Sequence, residues 1–291
     1  MSWHQPLTPN AVGLLPLISK RQREKTIEER IDAVILAGGA PETTDSKADP
    51  LLEYAQVQKK PLIKIAGKEM VRYVTEAIAG SSRIGRIFVV GLSPEDGVEF
   101  AAPVEYVEAT GSMMDNVVAG IERVMEVDPA MERVVIASAD IPLLTTEMVD
   151  HFIDTCLETD HDVYYTVVEK STMEARFPGS RRGFVSLRGG SFAGGDINMT
   201  KVSAIQANLP LARQAMKSRK NIWQQIRLLG CKTLIKFAFR RLTIADVERV
   251  AGRALGCRGR AIITPYPEMG MDVDKPHQLD IVRAILEGRS A

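Results

Sequence analysis

The chain has little cysteine, and what it has is scattered. Cys156, Cys231 and Cys257 are odd in number and form no C-x-x-C pair, which speaks against a disulfide framework and against a structural zinc site. Buried or half-buried thiols in a reducing compartment are the simpler reading. Histidine is also sparse: His4, His151, His161 and His277 show no metal-ligand spacing such as H-E-x-x-H. Excess charge of either sign is missing, because 37 Lys and Arg balance 37 Asp and Glu. The global balance therefore supplies no general attraction to nucleic acid or anionic lipid. No apolar run approaches membrane-spanning length. The short stretch Val12–Ile18 contains Pro16 and precedes the basic Lys20–Arg23 instead of following it, so it does not read as a targeting segment. A soluble, cytoplasmic protein is expected.

Aromatics make up only 5% of the chain, but hydrophobic residues in total reach 45%. A core of Ile, Leu, Val and Ala is thus available, enough for one large domain or two small ones. Residues 1–30 read as an extension, with Pro6, Pro9 and Pro16 followed by a charged helix over Lys20–Arg30; with Trp3 it offers a contact for a homodimer.

Beyond it, apolar runs and helical spacings alternate. Asp32–Ala37, Arg86–Gly91, Val104–Val107, Val134–Ser138, Val163–Glu169, Gly183–Leu187 and Ala261–Thr264 are expected strands. Met70–Ala79, Asp115–Glu126, a helix from the Thr145-Thr146 cap to Glu158, a helical region over Leu211–Leu255 and Gln278–Leu286 are the expected helices, with Ala40 to about Lys59 a long polar loop. That alternation indicates an α/β fold with a mainly parallel sheet. Residues 31–291 are read as one domain carrying a helical insertion at about 208–258.

Three features can carry chemistry. In open α/β sheets, ligands bind beyond the carboxyl ends of the strands. Leu36-Ala37-Gly38-Gly39 lies there, directly after the first strand, and its glycines would let backbone N–H groups approach a base or phosphate. G-x-G-x-x-G is absent, and no Gly-Lys-Ser/Thr follows to make a P-loop. Ser138-Ala-Asp-Ile-Pro-Leu143 ends the fourth strand and would turn Asp140, a hard oxygen ligand suited to Mg²⁺, toward the same crevice. Asp272 and Asp274, two apart in Gly270–Pro276, would share one side of an extended segment. One is expected to serve as a second metal contact and the other to cap the final helix.

In order, Leu-Ala-Gly-Gly, then Lys60-Pro-Leu62 with Ala66-Gly-Lys68, then Ala139-Asp-Ile-Pro-Leu143, then Asp272-Val-Asp-Lys-Pro276 resemble the MobA-like nucleotidyltransferase family over about Asp32–Glu169 and again over Ala261–Leu286. The resemblance implies a Rossmann-like fold of the GT-A type and transfer of a nucleoside monophosphate from a nucleoside triphosphate to a small, usually phosphorylated acceptor, with Mg²⁺ as cofactor. It implies that Leu36, Ala37, Gly38 and Gly39 contact the nucleotide, that Lys60 pairs with triphosphate or acceptor phosphate, and that Gly111 and Ser112 lie near base or ribose. Asp140, with Asp272 or Asp274, would hold the metal. Relatives carry an Arg shortly after the Gly pair; here the loop runs Ala40–Lys47 without one, so Lys47 or Lys59 would supply that cation. Two other readings share parts of this pattern: a GT-A glycosyltransferase using a nucleotide-sugar, and a nucleotide-binding regulator without chemistry.

The last feature is a stretch with no acidic residue, Ile197–Ala245, in which Lys217, Arg219, Lys220 and Arg227 alternate with Ile222, Trp223 and Ile226. It suits a packed helical subdomain with a basic face, a lid over an anionic acceptor, or a contact with a membrane surface or partner.

Overall fold

A computed structural model of the chain describes residues 30–38, 49–207 and 241–288. Of the sequence-derived features, Gly39, Lys47, the helix expected over 20–30 and the insertion over 208–240 lie outside the described residues. The unit Ile31–Ala291 carries the sheet, its helices and the candidate site.

The strands are β1 (Ile31–Leu36), β2 (Lys64–Ile65), β3 (Lys68–Glu69), β4 (Ile84–Val90), β5 (Glu105–Val107), β6 (Arg133–Ser138), β7 (Val163–Glu169), β8 (Val185–Leu187), β9 (Gly190–Lys201) and β10 (Gly259–Thr264). Eight of them form a central sheet of order β10-β7-β9-β6-β1-β4-β5, with β8 paired to β9. The other two, β2 and β3, make a separate hairpin. β1 runs parallel to β4 and β6, β4 to β5, and β7 to β10; among the described strands of this sheet β9 alone reverses, pairing antiparallel with β6, β7 and β8. The sheet is therefore mixed but mostly parallel, as the alternation of elements predicts.

The helices are α1 (Pro50–Ala55), α2 (Met70–Ala79), α3 (Met113–Val127), α4 (Thr146–Leu157), α5 (Lys170–Arg176), α6 (Ile244–Leu255) and α7 (Pro276–Leu286). β1 is buried nearly throughout, which is why it reads as a mostly apolar run and not as an alternation. On one side of the sheet Ala33, Ile35, Val89 and Val135 meet Val74 and Ile78 of α2 and Val149 and Phe152 of α4. On the other, Val34, Phe88 and Val134 meet Val117, Ile121 and Val124 of α3. Each such buried aliphatic side chain contributes on the order of 1.5–3 kcal/mol. A third cluster joins Leu51 of α1, Ile65 of the hairpin, Met173 of α5 and Leu279 and Val282 of α7. Among the described residues no helix is long and apolar enough to cross a membrane.

Three elements depart from the sequence expectation. α1 interrupts the polar loop, started by the Asp49 side chain accepting from Leu51 N and by Pro50 in its first turn. α5 directly follows β7 without a side-chain cap. β9, the longest strand, occupies Gly190–Lys201, where a glycine pair and few apolar residues hide the pattern. The final helix differs in its start. Its N-cap is Lys275, without a capping side chain, and Asp274 N donates instead to Gln278 Oε1 at 2.9 Å. Neither Asp272 nor Asp274 caps it, because both carboxylates are engaged elsewhere.

Candidate active site

β1 and β6 are neighbours, so their carboxyl ends open side by side. Ala139 N donates to Leu36 O at 3.0 Å and Ala37 N to Val90 O at 2.8 Å, extending the ladder just past the strand ends. Beyond them lies a cleft of about 590 Å³ whose walls include Leu36, Ala37, Gly38, Lys60 and Asp140. The turn after β1 and the acid after β6 thus share one cleft.

Gly38 is required there by contact. A Cβ on Gly38 would stand 2.8 Å from the Cα of Gly91, and one on Gly91, whose φ is +98°, would stand 2.5 Å from the Cα of Gly38. The two backbones lie against each other where β1 and β4 end, closer than any side chain permits.

Lys60 opens a single 3₁₀ turn, Lys60–Leu62. Its ammonium donates to Asp140 Oδ2 at 2.5 Å and also to Asp274 Oδ1. Asp274 is brought there because Val273 N donates to Asp140 O at 2.9 Å, laying the 272–274 segment against the end of β6. Burial works to lower the Lys60 pKa, but the charges of Asp140 and Asp274 outweigh it and hold the amine above the ordinary lysine value. Asp140 Oδ1 is buried without a hydrogen-bond partner among the described residues.

The two acids of the 272–274 segment go separate ways. Asp274 joins Asp140 on Lys60, while Asp272 pairs with Arg182. Lys59 lines the cleft, with its ammonium 2.7 Å from Asp96 Oδ2. Gly111 and Ser112 adjoin the cleft but do not line it; Ala109, Met113 and Asn116 do. Ser112 is instead the N-cap of α3 in a reciprocal box with Asp115.

Four residues here were not singled out from sequence. Gly91 and Asn116 line the cleft, and Arg182 and Asp196 stand on the side of Asp140 formed by β9. Between the pairs Tyr165↔Asn198 and Val167↔Gly194, β7 advances two residues while β9 advances four. This bulge carries Asp196. Side chains repair the interrupted ladder: Thr166 Oγ1 donates to Ile197 O at 2.5 Å, and Thr166 N donates to Asn198 Oδ1 at 3.2 Å. Bulges of this kind re-aim a side chain at the cost of pairing. Asp196 faces Arg182 at 3.7 Å. Burial, with the charges of Asp140 and Asp274 added, pushes its carboxyl up to about 7 against the opposing pull of Arg182 and Lys60. The signal in the sequence was the pair Gly194-Gly195 before an acid, an unusual composition for a strand interior.

Two solved structures define the class of the fold. The structure of CMP:2-keto-3-deoxy-manno-octonic acid synthetase complexed with CTP is similar at a TM-score of 0.54 and 15% identity, covering 89% of this chain and 99% of that one. The 4-diphosphocytidyl-2C-methyl-D-erythritol synthase of Anaerococcus prevotii is similar at 0.55 and 10% identity, again over 89% and 99%. The architecture is that of the nucleotidyltransferases. A hypothetical transferase from Thermus thermophilus is nearer in sequence, with 34% identity and a TM-score of 0.74 over 86% of this chain and 99% of that one. The MobA-like NTP transferase domain matches residues 33–188, and the chain belongs to that family. A comparison with curated proteins returns no match.

Proposed function

We propose that this protein transfers a nucleoside monophosphate from a nucleoside triphosphate to a small, phosphorylated acceptor, releasing pyrophosphate. The observation that carries the reading is the shared cleft: Gly38 on one wall, Asp140 on another, and Lys60 held between Asp140 and Asp274. An acceptor oxygen would attack the α-phosphorus, forming a P–O bond as the bond from that phosphorus to the pyrophosphate breaks. Positioning and charge neutralisation dominate such a step, and little covalent work falls to the protein. Gly38 keeps side chains away from the nucleotide, and Lys60 brings a half-buried positive charge to its phosphates.

The residues present fit Mg²⁺. Asp140 and Asp274 are hard oxygen donors drawn to one point of positive charge, and Asp140 Oδ1 has an unused lone pair. Mg²⁺ takes few carboxylates together with substrate phosphates and water, and two acids at one point suit that habit. When bound, the ion supplies neutralisation of the α-phosphate charge. Lys47 or Lys59 would supply the cation that relatives have as arginine; Lys59, which pairs with Asp96, would exchange that carboxylate for phosphate to do so.

The test is pyrophosphate release from each common nucleoside triphosphate with Mg²⁺ and a panel of phosphorylated metabolites. Release is expected with at least one pairing, and Asp140→Asn is expected to lower it by about 100-fold or more while the circular dichroism spectrum is unchanged. Absence of pyrophosphate alongside sugar transfer from a nucleotide-sugar would replace this reading with glycosyl transfer.

A further inference from the structure

Asn116 lies in the second turn of α3 and has no exposed surface. Both ends of its amide are used. Oδ1 accepts from Thr110 N at 2.9 Å, and Nδ2 donates to Gly38 O at 2.7 Å. Thr110 belongs to the loop after β5, and Gly38 to the turn after β1. One buried side chain therefore ties together two segments that are far apart in sequence and that both border the cleft.

The identity of the residue is demanding. The site needs an acceptor for one backbone group and a donor for the other, on a side chain short enough to fit behind the cleft wall. Aspartate matches the shape but presents an oxygen to the Gly38 carbonyl, so the second bond becomes a repulsion. Serine lacks the reach to make both bonds. Asparagine is a poor helix former, and neither bond caps its own helix, so local structure does not account for it.

We infer that Asn116 is a positioning residue for the nucleotide: it holds the Gly38 carbonyl turned into the protein and locks the glycine turn to the loop after β5. Without that bond a partly negative carbonyl oxygen is free to face the cleft, where it opposes a polyanion. The Gly38–Gly91 contact fixes the turn from the β4 side, and Asn116 fixes it from α3. The amide itself is spent on the protein, so it acts on the nucleotide only through Gly38. The inference rests on the nucleotidyl-transfer reading.

The experiment measures Mg²⁺-dependent binding of ATP, CTP, GTP and UTP by calorimetry, with melting temperature recorded in parallel. Wild type is compared with Asn116→Asp, Asn116→Ser and Val124→Ala. Val124 is buried on the same helix, away from the cleft, and its truncation destabilises α3 without touching Gly38. For the triphosphate bound best by wild type, Asn116→Asp and Asn116→Ser are each expected to weaken binding about tenfold or more, the scale of one lost hydrogen bond. Val124→Ala is expected to lower the melting temperature with affinity unchanged. If the aspartate variant does not fold, the serine variant carries the comparison. Wild-type affinity in the Asn116 variants overturns the inference, as does an affinity loss in Val124→Ala equal to theirs. Failure of wild type to bind any of the four overturns the functional reading and this inference with it.

Discussion

Lys60 and Asp196 face the same acids with opposite consequences. Lys60 gains two carboxylates and remains a cation despite its burial. Asp196 gains the same two as like charges, and its carboxyl rises to about 7. The effect on stability is a matter of linkage. An unfolded Asp titrates near 3.9, so between about pH 4 and 7 the folded state binds more protons than the unfolded one, and stability falls as pH rises. Below about pH 4 the full contribution of this group is present, and above about pH 7 it is gone. Melting temperature measured in metal-free buffer from pH 4 to 8 is expected to carry this slope, and Asp196→Asn, which stays neutral, is expected to flatten it. An identical slope in the variant would contradict the assignment. At this scale Asp140 and Lys60 were legible in sequence because each stands in a short motif. Asp196 and Arg182 were not, since their significance is the company they keep across the sheet.

Among the elements, legibility tracked apolar content. β1, β4, β6 and β7 announce themselves as runs of Val and Ile, and α4 by its Thr145 cap. β9 has no such run: its buried and half-buried positions alternate from Ala193 to Met199, but small residues, Ala193, Gly194 and Gly195, fill the first part of that pattern. α1 is only six residues long, and its Asp49-Pro50 start sits in a polar stretch that reads as loop. The junction of β1 with β4 bears most directly on function. Gly91→Ala would place a methyl group 2.5 Å from the Gly38 Cα at a φ of +98°. A destabilisation on the order of 3 kcal/mol is expected in urea denaturation, with weakened triphosphate binding. Gly97→Ala is the control: its φ is +68°, but nothing lies within 4 Å of the added carbon, so a loss of only about 1 kcal/mol is expected. Equal losses at the two positions would show that backbone conformation, and not the close approach, sets the cost.

For the whole molecule, the sheet acts as an assembler. Gly38, Lys60, Asp140 and Asp274 come from four distant parts of the chain, and Lys60 and Asp274 are 214 residues apart in sequence. Gly38 and Asp140 directly follow β1 and β6, which is why the rule that ligands bind beyond strand ends could place those two in one crevice from sequence. The division of labour between Asp272 and Asp274 was not readable, because it depends on Arg182 and Lys60 lying on different sides of that segment. What remains to be seen directly is a metal–triphosphate in this crevice. The most direct measurement is a crystal structure of the protein with Mg²⁺ and the α,β-methylene analogue of the triphosphate it binds best. The nucleotide is expected against Gly38, with its phosphates reaching Lys60 and Asp140. A triphosphate bound elsewhere on the surface, with this cleft closed by side chains, would contradict it.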